Sequence, residues 1–115
     1  MSNNNKKKEP KIDTYNLYDT IDDMMSQKVS RRMFAEYAQL KYRIKYILDA
    51  IVKAGEEDNF DLQNILIEQY ECMAKYRDVL SRRMLGEPTD TLNEYAKEYG
   101  YASYLEFERK SESEI

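Results

Sequence analysis

Residues 31–54, RRMFAEYAQLKYRIKYILDAIVKA, run through GEEDNF at 55–60 into DLQNILIEQYECMAKYRDVLSRRML at 61–85. In the first of these stretches Met33, Tyr37, Leu40, Ile44, Ile47 and Ile51 follow one another at alternating spacings of four and three. That period keeps one apolar seam on one side of a helix, as in a coiled coil. A second row, Phe34, Ala38, Leu48 and Val52, flanks the seam, with Lys41 and Lys45 interrupting it. The stems of those lysines can cover apolar surface while their ammonium groups reach water. Ser30 suits the N-cap and Gly55 the C′ position. At about 1.5 Å per residue the arm spans roughly 36 Å.

The second arm carries a wider apolar arc. One row is Leu62, Leu66, Tyr70, Met73, Leu80 and Met84; another is Ile65, Cys72, Tyr76 and Val79. Two rows side by side call for two neighbours. The first arm is one, joined through a short polar loop in an antiparallel hairpin. The other is a further helix or a further subunit. Asp58 or Asn59 caps the start, and Gly86 with Pro88 stops the end.

The rest of the chain is shorter-range. Residues 1–11 are polar and lysine-rich and read as a disordered basic arm. Residues 12–110 read as one helical-bundle domain and 111–115 as a frayed tail. A short helix is expected from Thr14 to Met25, with Leu17, Tyr18, Ile21, Met24 and Met25 as its apolar face. It is the natural cover for the second row of the long second arm. Thr91-Leu92-Asn93-Glu94 and Ser103-Tyr104-Leu105-Glu106 both fit a capping box. They place helices at about Leu92–Tyr99 and Tyr104–Lys110, with Gly100 between. Tyr95, Tyr99, Tyr101, Tyr104, Leu105 and Phe107 then form an aromatic cluster. The expected fold is all-α: a long antiparallel hairpin, a short N-terminal helix and a small C-terminal helical corner.

Composition narrows function by exclusion. The 115 residues contain no histidine, one cysteine and three scattered glycines. The Ser-His and Cys-His arrangements are therefore absent, along with most zinc sites and any phosphate-cradling glycine loop. The acidic stretch Asp49–Asp61 fails as a calcium loop because Ile51 and Lys53 stand where oxygen ligands are needed. Cys72, in an apolar row, reads as a small buried hydrophobe. No catalytic residue, cofactor site or metal site is expected. No apolar run reaches membrane-spanning length and none follows the N-terminal lysines as in a signal peptide, which points to the cytoplasm. Heavy use of Asn, Lys, Ile and Tyr, residues with AT-rich codons, suits a low-GC bacterium, a phage or another mobile element.

The segment Leu92–Arg109 resembles a DNA-binding helix-turn-helix in the spacing of Ala96 and Gly100. It departs from that motif at Glu106 and Arg109, which stand at apolar positions. Glu106 and Glu108 on the second helix would also repel phosphate. A corner packed on the hairpin is the better reading.

Charge is segregated although the net value is only −4. Folding the hairpin gathers Lys28, Arg31, Arg32, Arg82 and Arg83 at its open end. Asp49, Glu56, Glu57, Asp58, Asp61 and Glu68 gather at its loop end. The basic pole wants a counter-charge, from the protein's own acidic segments, from a protein surface or from nucleic acid. Tyr42 and Tyr46 point off the seam and are candidates for an aromatic contact. Ile65, Tyr76 and Val79 are candidates for a dimer face. The sequence thus favours a non-enzymatic interaction or assembly module that self-associates as a homodimer, with another protein as partner. The alternative is a nucleic-acid-binding accessory protein using the basic pole.

Overall fold

The computed structural model describes residues 20–113, and within them five helices. These are α1 (Ile21–Met24), α2 (Val29–Glu56), α3 (Phe60–Met84), α4 (Thr89–Glu98) and α5 (Tyr104–Ser113). The all-α architecture is the expected one: α2 and α3 form the long hairpin, and α4 with α5 forms a corner against α2. The basic arm at 1–11 and the first part of the expected N-terminal helix lie outside the described residues.

Towards the open end the seam is where the spacing placed it, while Leu62 at the loop end is exposed. Met33, Tyr37, Leu40, Ile44 and Ile47 of α2 are buried, as are Leu80 and Met84 of α3. Leu66, Tyr70 and Met73 are half-buried. Burial is deepest towards the open end, where the corner adds a third layer. Phe34 is the centre of that layer. Its ring lies 5.6 Å from Tyr95, 5.3 Å from Tyr99, 6.0 Å from Tyr104 and 5.0 Å from Phe107. Edge and tilted pairings of this kind suit the aromatic quadrupole. Leu105, expected in the cluster, is instead exposed.

Several end signals act differently from their sequence reading. Ser30 is not the cap of α2. The helix begins two residues earlier, with Lys28 at the cap, and the Ser30 hydroxyl pairs with Tyr95 Oη at 2.7 Å. Gly55 lies inside α2 rather than beyond it. A Cβ there would come within 2.5 Å of Gln63 Nε2, which crosses over to donate to the Ile51 carbonyl at 3.1 Å. A side chain at position 55 would therefore displace the Gln63 amide from this bond, and the positive φ of the turn falls on Asp58. Asn59 caps α3 as expected, its Oδ1 accepting from Leu62 N–H. Thr91 sits inside α4, which starts three residues sooner than expected, behind Pro88. The Ser103 hydroxyl does accept the Glu106 N–H, at 3.1 Å, as a capping residue should.

The larger difference concerns α1. It packs on α2, not on the second apolar row of α3. Gln39 Nε2 donates to the buried Thr20 hydroxyl at 2.9 Å, and Arg32 donates to the Ser26 carbonyl at 2.7 Å. Two long side chains of α2 thus fasten this segment beside it. The second row of α3 is left without that cover.

Candidate interaction surface

Cys72 is exposed, contrary to its reading as a buried hydrophobe. Its neighbours in the same row are exposed too: Ile65 to 61%, Tyr76 to 42% and Val79 to 39%. The three residues proposed as a dimer face therefore all reach solvent. The physical reason is simple. A two-helix layer buries one seam per helix, and the third layer, α4 with α5, sits on α2 at the open end.

The face continues onto α2. A groove of about 740 Å³ is lined by Leu40, Tyr42, Arg43, Tyr46 and Ile47 of α2 and by Gln69 and Met73 of α3. A smaller hollow of about 170 Å³ adjoins it, lined by Glu36, Gln39, Leu40, Arg43 and Tyr76. Leu40 and Arg43 belong to both. Tyr42 and Tyr46, one turn apart, hold their rings 4.9 Å apart at 60°. Tyr46 is exposed, while Tyr42 is half-buried against the core. The aromatic candidates and the dimer-face candidates thus belong to one surface, joined through Arg43 and Tyr76. Tyr76 Oη donates to the Glu36 carboxylate. That bond, with some burial, raises the Tyr76 pKa.

The basic pole is partly neutralised from within. Arg31 is bound by Glu98 of α4 at 2.5 Å and by Asp23 of α1 at 3.2 Å, and it lies 4.3 Å over the Tyr95 ring. The Glu98 contact leads the rise in its pKa, against the cost of burial. Lys28, Arg82 and Arg83 remain on the surface.

The acidic C-terminal segment also supplies an internal counter-charge, as the sequence allowed, and does so through Glu108, whose cation is Lys41. Glu108 lies on α5 in the would-be recognition helix, yet it turns inward. Its carboxylate accepts from Tyr37 Oη at 2.7 Å and from Tyr104 Oη at 2.6 Å, and it pairs with Lys41 at 3.4 Å. Lys41 does not snorkel. It is only 2% exposed, and its ammonium sits 5.0 Å over the Tyr37 ring. The signal available beforehand was a lysine inside an apolar row and a glutamate one position past Phe107, among several others in the same segment. Burial, followed by the bond to Glu108, pushes the pKa of both Tyr37 and Tyr104 up.

This has a pH consequence. An unfolded tyrosine ionises near pH 10, whereas Tyr37 and Tyr104 stay protonated in the fold. The unfolded chain then binds fewer protons than the native one. Stability should be fully present below about pH 10 and fall above it, by about 1.4 kcal/mol per pH unit from Tyr37 alone. Tyr104 acts in the same direction. Denaturant unfolding at pH 9, 10 and 11 reads this out, with Tyr37→Phe flattening the slope.

Among the described residues no cluster of acidic or cysteine side chains is placed to hold a metal ion. No helix there is long and apolar enough to cross a membrane. A family model described as Sequestin matches residues 27–85, just over half of the chain. The chain belongs to the Sequestin family. The matched segment is the α2–α3 hairpin almost end to end, with α4 and α5 outside it. No curated protein and no solved structure matches the chain.

Proposed function

We propose that the chain is a non-catalytic interaction and assembly module. It binds protein through the open face of α2 and α3, and it self-associates there as a homodimer. The carrying observation is the exposed row Ile65, Cys72, Tyr76 and Val79 beside the Tyr42–Tyr46 groove. Contiguous exposed apolar surface on a folded protein marks a contact site, and two-fold self-pairing is its commonest closure. Membership of the Sequestin family, matched over this same hairpin, is in keeping with a binding role. A cytoplasmic setting belongs to the same reading, supported by the single free thiol.

The expected result is a dimer mass by light scattering at micromolar concentration. Tyr76→Glu sets a second carboxylate beside Glu36 and an unpaired charge in the closed interface. It should weaken association by at least about tenfold, about 1.4 kcal/mol, with the helical circular dichroism unchanged. A monomer mass for the unmodified chain at ten times that concentration would rule self-association out. Nucleic-acid binding through Lys28, Arg82 and Arg83 is separable by salt, since phosphate contacts weaken steeply between 50 and 200 mM.

A further inference from the structure

The open face of α3 has a symmetry of its own. Asp61, Ile65, Cys72, Val79 and Arg83 follow one another at intervals of four, seven, seven and four. Those intervals place all five on one narrow stripe of a helix with 3.6 residues per turn. The spacing is the same read in either direction, with Cys72 at its midpoint. Apolar Ile65 and Val79 stand seven residues either side, and Asp61 and Arg83 stand eleven either side. Along one flank, Glu68 precedes Cys72 by one turn and Lys75 follows it by nearly one turn. The stripe is therefore even in its apolar pattern and odd in its charge. All seven residues are exposed.

An odd charge pattern on an even apolar pattern fits one partner above others: a copy of itself running the opposite way. Resting on the self-association read above, we infer that two copies pair α3 against α3 in antiparallel sense, with the two-fold axis passing at Cys72. Ile65 of each copy then meets Val79 of the other, and the two Cys72 thiols face one another across the axis. Asp61 meets Arg83 twice, and Glu68, level with Tyr76, lies one residue out of register with Lys75 on the same flank, twice. Gln69 comes opposite Lys75 without a like-charge clash. A parallel pairing would set Asp61 against Asp61 and Arg83 against Arg83, and like charges across an interface are costly. Each hairpin brings α2 with it, so the assembly is a four-helix layer in which the Tyr42–Tyr46 grooves flank the central pair.

The test uses the full chain and a short bis-maleimide. The Cys72 thiols at the axis should be linked efficiently into a covalent dimer. In a Cys72→Ser background, Asp61→Cys should not be linked to its own copy, because the two positions lie about 33 Å apart along the paired helices. Charge exchange gives an independent reading. Asp61→Arg should weaken the dimer about tenfold, and the double variant Asp61→Arg, Arg83→Asp should restore it. A dimer mass with no Cys72 link, or with an Asp61→Cys link, overturns this register while self-association stands. A monomer mass removes self-association itself, and this inference with it.

Discussion

Phe34→Ala should lower the unfolding free energy by about 3–5 kcal/mol, the range for deleting a buried aromatic ring and leaving a cavity. Phe34 is fully buried and carries ring contacts from both α4 and α5. The corner is also held to α2 by the Tyr37–Phe107 ring contact and by polar links, Ser30 to Tyr95 and Arg31 to Glu98 among them. Loss of the ring therefore removes the central apolar contact between the corner and α2. Urea unfolding followed by circular dichroism should show the loss in its midpoint. The near-ultraviolet tyrosine signal should weaken as Tyr95, Tyr99 and Tyr104 lose their packed neighbour. A loss under about 1 kcal/mol would mean that the corner is not part of the cooperative unit.

The hairpin was legible because its information is periodic. Met33 to Ile47 repeat at helical spacing, and a repeat survives ignorance of what packs on it. Asn59 and Gly86 punctuate the same arms through local backbone chemistry, which a sequence displays directly. What was not legible is pairing between residues far apart in the chain. The Ser30 hydroxyl looks like a helix cap until Tyr95 arrives from 65 residues away to take it. Glu108 is one acidic candidate among several, with no assigned partner, until α5 folds back and sets it against Lys41.

The candidate surface was legible in its parts and not in its unity. Ile65, Tyr76 and Val79 on one arm and Tyr42 and Tyr46 on the other were separate readings. Arg43 and Tyr76, which line the adjoining hollow, join them. That join depends on the rotation of α2 relative to α3, and the seams alone leave the flanking sides unassigned. The placement of α1 settles which row stays open. Gln39 and Arg32 hold α1 on α2, so the apolar face of α3 has no cover from that side.

Glu108→Ala is the second substitution expected to cost about 3–5 kcal/mol, for an electrostatic reason. Burying a charge is tolerable only while its counter-charge is present, and Lys41 is almost wholly inside. Removing the carboxylate withdraws the ion pair from Lys41. It also takes away the acceptor of the Tyr37 and Tyr104 hydroxyls. The two contributions separate in a double-mutant cycle. Glu108→Gln keeps an acceptor for the tyrosines but removes the charge, so its loss reports the uncompensated ammonium. Lys41→Met removes that ammonium and fills the space with an unbranched apolar chain. The pair Lys41→Met, Glu108→Gln should then be less destabilised than the sum of the singles by about 2–3 kcal/mol, near the upper end for contacting residues. Strict additivity in that cycle would show that the network stabilises α5 through its hydroxyl bonds alone, with the charge on Lys41 balanced elsewhere.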